Sequence, residues 1–386
     1  MKLQSLVRIL SLTLTLSCAH VNKQNTQQTS LSSAPTVAPA AVSDVAPAVP
    51  AVPIKKESAL QPRGLDFGAT IKRIAFGSTA NQNFPQPIWP TILNINPDIF
   101  LFMGDTVQTL NSDQKPTSEQ YRKLNSIPEY RAFREKIPFL ATWDDQEYGL
   151  ENGGSEHPNK ELSKKEFIRN WTYIRDSISM EQAGIYHAKI IGPKKKQVQF
   201  IMLDTRSFRS PLSKEIDPAT GVSKILPNQE SKATILGNDQ WSWLEEQLKR
   251  PAQVRFVVTS LPLIAAENRP DQATETWSNF PSERQRFFDL LKKNQIRNVI
   301  LLSGNSRQGA IAKTTLKDWG TLYDITSSPL NEPTTTSPYQ DPSYIEQTSN
   351  VENFGLAEVD WALKRVQIQI RGKNNEILSS ASIKIL

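Results

Sequence analysis

The stretch Trp143-Asp144-Asp145-Gln146-Glu147-Tyr148-Gly149 follows the apolar run Ile137-Pro138-Phe139-Leu140-Ala141, which has the length of a buried strand. Three carboxylates within four positions repel one another unless a cation lies between them, so the stretch predicts a metal or phosphate site. A second interpretation is that Asp144 and Asp145 only cap a turn, because aspartate is favoured in turns and Gly149 follows closely. The stretch alone does not decide between the two.

Apolar runs of strand length recur along the chain, and they end in small or polar residues. The runs are Ile71–Phe76, Ile99–Met103, Ile137–Ala141, Val198–Leu203, Val254–Val258 and Val299–Leu302. Helical patterns separate several of them, at Glu119–Lys136, Leu162–Arg175, Asp239–Lys249 and Ser282–Lys292. Strands buried on both faces read as continuous apolar runs, and ligands collect outside the carboxyl ends of such strands. We therefore expect six polar strand ends to share one rim of an α/β fold.

One segment near the C-terminus has a different pattern. Val366-Gln367-Ile368-Gln369-Ile370 alternates strictly between apolar and polar residues, and Asn374-Asn375 follows as a turn signal. This pattern indicates an antiparallel hairpin. The expected fold is therefore mixed α/β, with one sheet or two packed sheets.

The N-terminal residues have the features of an export signal. Lys2 and Arg8 form a basic start, and the apolar run Ile9–Leu16 is too short to span a bilayer but long enough for a signal peptide. The run leads to Cys18, the only cysteine, so no internal disulfide can form. The segment resembles a bacterial lipoprotein signal with lipidation at Cys18, although Thr15 stands where the usual motif has leucine. The alternative is an ordinary cleaved secretory signal.

The composition changes twice after this signal, which we assign to residues 1–18. Residues 19–62 are rich in Gln, Thr and Ser and then in Ala, Pro and Val, which predicts a disordered, semi-extended tether. Residues 63–386 form the predicted folded domain. We expect an exported protein of the bacterial cell envelope, in which a lipid anchor contacts the membrane, as an outer-membrane or periplasm-facing lipoprotein.

The charge and the histidine count exclude several functions. The net charge of +6 is mildly basic, and the run Lys194-Lys195-Lys196 between two apolar stretches is typical of a solvated hairpin turn. No aromatic residues are interleaved with it, so we expect no nucleic-acid partner. There is no phosphate-binding G-x-x-x-x-G-K-[ST] loop and no G-x-S-x-G elbow. With only His20, His157 and His187, a histidine-rich zinc site is excluded.

The remaining candidate ligands all carry oxygen. They are Asp105, Asp144, Asp145, Glu147, Asp204 and Asn305. Carboxylate and amide oxygens suit hard cations such as calcium or magnesium rather than zinc or copper. The alternative is that several of these residues only cap turns at strand ends.

A series of short motifs resembles one family in order as well as in content. The motifs are Ile74-Ala75-Phe76-Gly77-Ser78, Pro97-Asp98 with Gly104-Asp105, Thr142-Trp143-Asp144-Asp145, Leu203-Asp204-Thr205-Arg206-Ser207-Phe208-Arg209, Ile235-Leu236-Gly237 with Gln240-Trp241-Ser242-Trp243-Leu244, Trp277 with Phe280-Pro281-Ser282-Glu283-Arg284, Leu302-Ser303-Gly304, and Leu322-Tyr323-Asp324-Ile325-Thr326-Ser327-Ser328. Together they span Arg73 to Asn331. They resemble the PhoD-like alkaline phosphatase/phosphodiesterase family, a branch of the calcineurin-like metallophosphoesterases.

The resemblance implies a calcineurin-like four-layer α/β/β/α sandwich with two mixed sheets. It also implies a metal centre at the strand ends, where a metal-activated oxygen attacks a phosphate ester. This chain departs from the family at the ligand positions. Thr79 replaces a cysteine, Gln108 a tyrosine, Gln146 and Glu147 a histidine and an aspartate, and Asn305 and Arg307 an aspartate and a histidine.

These replacements change the expected cofactor. Thiolate, phenolate and imidazole groups hold iron or zinc, so we expect neither the iron/calcium nor the zinc type of centre here. Arg307 is always protonated and would repel a nearby metal ion. We expect no metal or a single hard divalent cation, Ca²⁺ or Mg²⁺, and Arg307 is a candidate for the neutralising charge in place of a metal.

Two functional hypotheses follow, with an intermediate case. In the first, the protein is a pseudoenzyme that acts as a binding or structural protein of the cell envelope. In the second, Asp105, Asp145 and Asn305 hold Ca²⁺ or Mg²⁺, Asp144 and Glu147 orient them, and Arg307 or Arg206 clamps a phosphate ester that is hydrolysed.

In the intermediate case, a phosphate group is bound without reaction. Arg307 and the backbone of Gly77-Ser78-Thr79 would hold it, so Ser78 and Thr79 are candidate phosphate-binding residues.

Overall fold

The computed structural model describes residues 60–109, 117–172, 177–219, 221, 223–266, 274–334, 338, 340–346 and 349–385. The described residues belong to one compact unit, Ser58–Leu386. The predicted signal segment 1–18 with Cys18, and almost all of the predicted tether 19–62, lie outside the described residues. Within the described ranges, no helix has the length and apolar character needed to cross a bilayer.

The described elements alternate between strands and helices along most of the domain. The strands are β1 Arg73–Gly77, β2 Ile99–Met103, β3 Phe139–Thr142, β4 His187–Ile191, β5 Val198–Met202, β6 Ser213–Ile216, β7 Ser223–Leu226, β8 Val254–Thr259, β9 Val299–Ser303, β10 Ala310–Leu316, β11 Gly320–Thr326, β12 Asn353–Asp360, β13 Arg365–Gly372 and β14 Ile377–Lys384. The helices are α1 Ile88–Ile95, α2 Thr117–Ser126, α3 Pro128–Lys136, α4 Asp145–Tyr148, α5 Lys160–Asn170, α6 Gly237–Lys249 and α7 Pro281–Lys293. The six sequence-predicted strands all form, to within two residues at each end.

The long strands form two six-stranded mixed sheets. The first has the order β14-β13-β12-β1-β2-β3, with β1, β2 and β3 parallel and the remaining pairs antiparallel. The second has the order β10-β11-β9-β8-β5-β4, with parallel strands in its centre and an antiparallel pair at each edge. The predicted hairpin around Val366–Ile370 is confirmed as β13 and β14. The predicted turn at Lys194–Lys196 is also confirmed, between β4 and β5.

Three apolar clusters hold the layers together. One lies between the sheets, where side chains such as Phe76 and Leu101 of the first sheet pack with Phe256 and Leu302 of the second. The second cluster covers the outer face of the first sheet with α1, α2, α3 and α5, and the third covers the second sheet with α6 and α7. Because each sheet buries both faces, its central strands carry unbroken apolar runs. The expected four-layer α/β/β/α arrangement is confirmed.

One predicted helix is wrong. The pattern at Glu119–Lys136 indicated a single helix, but the structure has α2 and α3 with a break at Ile127 and Pro128. Ile127 is extended, with φ −70° and ψ 120°, and Pro128 is the first residue of α3. Proline lacks the amide hydrogen that a continuing helix requires, and it disfavours helical backbone in the residue before it.

Candidate metal and phosphate site

The carboxyl ends of β1, β2, β3 and β9 meet at one rim of the sandwich. The amide of Thr79 donates a hydrogen bond of 3.2 Å to the carbonyl oxygen of Gly104. A Cβ atom on Gly304 would lie 2.7 Å from Oγ of Ser78. A Cβ atom on Gly104, whose φ is +98°, would lie 2.7 Å from Cβ of Asp144. The shared rim is therefore confirmed for these four strand ends, and glycine is required where the backbones approach most closely.

Three aspartates form a buried cluster at this rim. One carboxylate oxygen from each of Asp105, Asp144 and Asp145 lies within 4.8 Å of the others. Their side chains are almost inaccessible, with residue exposures of 4%, 0% and 7%. Asp105 has a left-handed φ of +52°, which turns the chain sharply after β2. Asp145 begins α4, and the amide of the next residue, Gln146, donates to Oδ1 of Asp105 at 3.3 Å.

The cluster has more negative charge than its surroundings neutralise. Burial raises the pKa of Asp105 well above its ordinary range, and the neighbouring Asp145 and Asp144 carboxylates raise it further. Burial also raises the pKa of Asp145 against the attraction of Arg206. Among the described residues, neither Asp105 nor Asp145 forms an ion pair. These two carboxyl groups therefore favour a bound proton or a cation.

Arg206 neutralises Asp144 from inside the protein. Its Nε donates to Oδ1 of Asp144 at 2.5 Å, and its other nitrogens donate to both carboxylate oxygens of Glu275, at 3.0 and 2.7 Å. Arg209 contacts Glu275 as well, at 3.2 Å. Burial would raise the pKa of Glu275, but Arg206 and Arg209 together hold it below its ordinary value.

Arg206 consequently has a different role from the expected one. Its side chain is fully buried and its donors are occupied by Asp144, Glu275 and the carbonyl oxygen of Gly153. A phosphate ester from solvent cannot reach it. Burial still raises the pKa of Asp144, to about 7, because Arg206 is shared between two carboxylates.

Glu147 binds backbone amides at the rim, so its carboxylate oxygens are not free to bind a metal ion. Its Oε2 accepts from the amides of Asp105 and Asp144, at 2.9 and 3.2 Å, and its Oε1 accepts from the amide of Thr106 at 2.5 Å. Burial raises the pKa of Glu147 to about 7, while these amides lower it. This carboxylate is a bridge between the loop after β2 and the start of α4. Glu147 lies next to the aspartate cluster along the chain, but both of its carboxylate oxygens accept hydrogen bonds from backbone amides.

The glutamine that replaces the family tyrosine is part of an amide network. Gln82 accepts from the amide of Gln108 at 2.8 Å and donates to the carbonyl oxygen of Gln108 at 2.8 Å. Gln82 also donates to Oε1 of Gln120 on α2 at 2.7 Å. The side chain of Gln108 points back to the carbonyl oxygen of Ala80, at 3.4 Å. All three glutamines are buried. The position therefore fixes the loop to α2.

The replacements at positions 146 and 79 are also engaged within the fold. Oε1 of Gln146 accepts from the amide of Thr109 at 3.0 Å. Oγ1 of Thr79 accepts from Oγ of Ser328 at 2.9 Å. Thr79 has a φ of +56°, which is unusual for a β-branched residue and shows how tightly this turn is held.

The turn after β1 leaves no amide for an anion. The amides of Ser78 and Thr79 donate to the carbonyl oxygens of Ser327 and Gly104, at 3.1 and 3.2 Å. Oγ of Ser78 donates to the same Ser327 carbonyl at 2.9 Å. Ser78 and Thr79 are each 1% exposed. The expected phosphate cradle of Gly77-Ser78-Thr79 is therefore wrong, because its donors already have partners inside the protein.

Arg307 and Asn305 lie at the outer edge of the rim. Asn305 is half-buried, and within the described part of the chain its side chain makes no hydrogen bond. Arg307 is exposed, and its guanidinium lies 4.0 Å from Glu332. Arg307 forms no ion pair with Asp105 or Asp145, so the expected neutralisation by this residue is wrong. Arg307 remains the one candidate phosphate-binding side chain from the sequence that solvent can reach.

Asp204 organises the same region from the second sheet. Its Oδ1 accepts from Nε1 of Trp143 and from the amide of Arg206, both at 2.9 Å. Its Oδ2 accepts from Oγ of Ser207 at 2.7 Å and from the amide of Ile185 at 2.9 Å. With these partners, Asp204 is a structural hub rather than a ligand. It fixes Trp143, and thereby Asp144.

A single hard cation fits the residues present. Oδ2 of Asp144 is buried without a hydrogen-bond partner, and one carboxylate oxygen of this residue lies within 4.8 Å of an oxygen from each of Asp105 and Asp145. Carboxylate oxygens are the ligands that Ca²⁺ and Mg²⁺ prefer. The side chains at positions 79, 108 and 146 are bonded into the fold, and none is a thiolate, phenolate or imidazole, the groups that favour iron or zinc.

Sequence reasoning missed Glu275, Arg209 and Gln82. Glu275 is 69 residues from Arg206 along the chain, and no local pattern links them. Arg209 lies in the same sequence motif as Arg206, but the motif does not reveal that its ion-pair partner is Glu275. The only sequence feature that points to Glu275 is its position two residues before Trp277, which belongs to one of the motifs that resemble the family.

Comparisons with known proteins agree with this geometry. The family model described as PhoD-like phosphatase matches residues 76–375. Alkaline phosphatase D of Bacillus subtilis (strain 168) is 25% identical over 239 residues, which cover 55% of this chain and 39% of that protein. The alignment thus spans about two fifths of the relative.

Two solved structures share the fold. A structure of PhoD superposes with a TM-score of 0.63 at 16% identity, covering 84% of this chain and 70% of that one. The purple acid phosphatase PPD1 from yellow lupin (Lupinus luteus) seeds has a TM-score of 0.51 at 9% identity, covering 82% of this chain and 54% of that one. With the family model matched over most of the domain and the metallophosphoesterase sandwich in place, the chain belongs to the PhoD-like phosphatase family.

Proposed function

We propose that this protein is a binding protein of the bacterial cell envelope that has kept the PhoD fold and lost hydrolytic turnover. The observation that carries the proposal is the engagement of the replaced ligand positions. Gln108, Gln146 and Thr79 are bonded to Ala80, Thr109 and Ser328. A centre of the family type would need their side chains at the metal. Because these side chains are bonded inside the fold, the three aspartates are the candidate metal ligands that remain.

The ligand that we propose carries a phosphate group. Arg307 is exposed at the edge of the rim, and a guanidinium suits a phosphate because it can donate two parallel hydrogen bonds. A cation held by Asp105, Asp144 and Asp145 would supply positive charge for the phosphoryl oxygens at the same rim. Asp204 and Glu147 keep the rim rigid, so the ligand meets a preformed site.

Export and membrane attachment are part of the proposal. They rest on the basic start, the apolar run Ile9–Leu16 and Cys18. In cells that produce the full chain, we expect the protein in the membrane fraction. A Cys18→Ser chain should become extractable from the membrane fraction with salt, or it should keep an uncleaved signal.

The alternative function is a phosphoesterase that uses one Ca²⁺ or Mg²⁺ ion. The unpartnered Oδ2 of Asp144 beside Asp105 and Asp145 favours this alternative. The relative named alkaline phosphatase D also makes an enzymatic role the natural competitor. In this case the cation would polarise a phosphoryl oxygen, and Arg307 would orient the ester.

The decisive experiment is an assay of aryl phosphodiester and phosphomonoester hydrolysis with Ca²⁺ or Mg²⁺ present. The proposal expects the same background rate for the wild type and for Asp105→Asn. Asp318→Asn is a matched control, because Asp318 is an exposed aspartate that also has a left-handed φ, +63°. A rate that is retained in Asp318→Asn and abolished in Asp105→Asn would establish the alternative.

A calorimetric titration with the same phosphodiester separates binding from a purely structural role. We expect the wild type to bind the phosphodiester, and we expect this binding to weaken in Arg307→Gln. It should be unchanged in Arg122→Gln, whose side chain is 75% exposed in the middle of α2. If the wild type takes up no phosphodiester, the phosphate ligand is excluded.

A further inference from the structure

A basic surface lies at the end of the domain opposite to the aspartate cluster. The cluster follows the carboxyl ends of the parallel strands, whereas Lys72 precedes β1 and the turn at Lys194–Lys196 precedes β5. Lys364 and Arg365 lie at the start of β13, on the same end. We call the set Lys72, Lys194, Lys195, Lys196, Lys364 and Arg365 the basic end face.

Contacts on the surface make this face continuous across both sheets. One groove is lined by Lys72 of the first sheet, Lys196 of the second sheet and Arg365. The amide of Gly192, which precedes the lysine turn, donates to the carbonyl oxygen of Phe67 at 2.9 Å. Nε1 of Trp361 donates to the carbonyl oxygen of Ile71 at 2.9 Å. The lysine turn, the segment before β1 and the turn before β13 therefore form one surface.

The cations of this face are not neutralised by the fold. All six side chains are exposed, and none takes part in an ion pair within the described residues. Two carboxylates, Glu358 and Asp360, also line the groove. Asp360 is used as a turn cap, because its Oδ1 accepts from the amides of Ala362 and Leu363 at 3.0 and 2.9 Å. The face keeps a clear excess of positive charge.

Two large apolar side chains project from the same surface. Phe67 is 52% exposed and Leu363 is 59% exposed. Phe67 lies beside the lysine turn, with Nζ of Lys189 at 5.7 Å from its ring centre. Exposed apolar side chains surrounded by lysines are the combination that binds the boundary between lipid headgroups and acyl chains.

We propose that the basic end face binds the surface of an anionic phospholipid bilayer. Charge complementarity supports this occupant, because each lysine or arginine near an anionic leaflet adds to the attraction. The described chain also enters the domain at this end, through residues 60–72. Binding through this face would fix one orientation, with the aspartate rim directed away from the bilayer.

The orientation can be tested with a polarity-sensitive fluorophore on the full chain. Cys18 is the only cysteine, so a Cys18→Ser chain accepts one new labelling site. Leu363→Cys places the label on the basic end face. Ile216→Cys is the control, since Ile216 is 67% exposed on β6, a strand that follows the site-side end of β5. Vesicles of phosphatidylcholine with and without phosphatidylglycerol are the probe.

We expect the label at position 363 to shift to the blue with phosphatidylglycerol vesicles and to shift less without the anionic lipid. The label at position 216 should not respond. Salt should reverse the shift, because screening weakens surface electrostatics beyond about 10 Å at 0.1 M. Equal shifts at the two positions, or equal shifts with both kinds of vesicle, would overturn the proposal.

A charge variant tests the same face by vesicle co-sedimentation. The variant Lys194→Gln/Lys195→Asn/Lys196→Gln removes three positive charges from the face. Asparagine replaces Lys195 because this residue has a φ of +74°, a left-handed conformation that asparagine adopts more readily than most residues. We expect binding to phosphatidylglycerol vesicles to weaken on the order of a hundredfold, about fivefold for each cation removed. The control Lys165→Gln/Lys232→Gln/Lys313→Gln removes the same charge from other exposed positions.

The control should lose less than about fivefold, because its lysines lie outside the face. Equal losses in both triple variants would show that only net charge matters and would overturn the proposal. Duplex DNA is the competing ligand: if it binds the wild type more tightly than the vesicles do, and if its binding depends on the same lysines, the face belongs to a nucleic acid and not to a membrane.

Discussion

Nε of Arg206 donates a hydrogen bond of 2.5 Å to Oδ1 of Asp144, and both side chains are fully buried. Arg206 also donates to both carboxylate oxygens of Glu275. The arginine that sequence reasoning assigned to substrate binding thus serves as an internal counter-ion. This charge network holds the rim of the site from inside the protein.

Removing the internal counter-ion should destabilise the protein strongly. Arg206→Met leaves Asp144 and Glu275 buried with one fewer cation, and breaking a buried ion pair in this way costs about 3–5 kcal/mol. Urea denaturation should show this loss in the free energy of unfolding. The control Arg122→Met changes an arginine that is 75% exposed and should stay within about 0.5 kcal/mol of the wild type. An Arg206→Met variant as stable as the control would contradict the role assigned to Arg206.

His187 should make the protein sensitive to acid. Its Nδ1 donates to the carbonyl oxygen of Ile185 at 2.9 Å, while its Nε2 is buried without a partner, and burial lowers its pKa to about 4. The unfolded chain has a histidine pKa of about 6.5, so it binds a proton between these values when the native state does not. Stability should therefore fall as the pH falls from about 6.5 to about 4, by roughly 3 kcal/mol, and not change further below that window.

The measurement is the free energy of unfolding of the wild type and of His187→Gln across this pH range. The difference between the two should shrink or change sign in favour of the variant as the pH is lowered. A difference that does not vary with pH would show that the imidazole is protonated equally in both states.

Asp204 should act as a positioning residue for the aspartate cluster. It accepts from Trp143 and Ser207 and from the amides of Ile185 and Arg206. In Asp204→Asn, an amide group that donates hydrogen bonds replaces one acceptor oxygen and faces groups that also donate. We therefore expect the free energy of unfolding to fall by about 2–3 kcal/mol. Near-ultraviolet circular dichroism should report the released Trp143 at a temperature below unfolding. An unchanged tryptophan signal would show that Trp143 is fixed by packing alone.

Introducing the ligand residues of the family should enable the protein to bind iron or zinc and should lower its free energy of unfolding. The variant combines Thr79→Cys, Gln108→Tyr, Gln146→His, Asn305→Asp and Arg307→His. It supplies the thiolate, phenolate and imidazole groups that iron or zinc needs. It also breaks the bonds of Gln108 to Ala80 and of Gln146 to Thr109, which should cost about 1–3 kcal/mol. If the combined variant holds no more iron or zinc than the wild type, the replacements are not what prevents the family centre.

The sequence predicts the frame of the fold well because that frame depends on local patterns. Apolar runs such as Val198–Leu203 form strands, and the parallel strands bring Asp105 and Asp144 to one rim. The apolar periodicity on both sides of Pro128 favours one continuous helix, but the structure has a break there. The proline itself predicts this break, because it lacks the amide hydrogen that a continuing helix needs.

The use of each site residue was not predictable from the sequence. Asp144, Asp145 and Glu147 are three carboxylates in four positions, yet the structure gives them different partners: Arg206, the amide of Asn152, and the amides of the rim. These partners come from distant parts of the chain, so spacing carries no information about them. Burial also decides that Arg307, and not Arg206, faces solvent.

Elemental analysis tests the central claim most directly. The purified full chain would be dialysed separately against Ca²⁺, Mg²⁺, Fe³⁺ and Zn²⁺ and then against metal-free buffer, with Asp105→Asn and Asp318→Asn in parallel. We predict at most one equivalent of Ca²⁺ or Mg²⁺, lost in Asp105→Asn and kept in Asp318→Asn, and no retained iron or zinc. Two equivalents of metal, or tightly held iron or zinc, would contradict the proposal that the three-aspartate cluster is all that remains of the family centre.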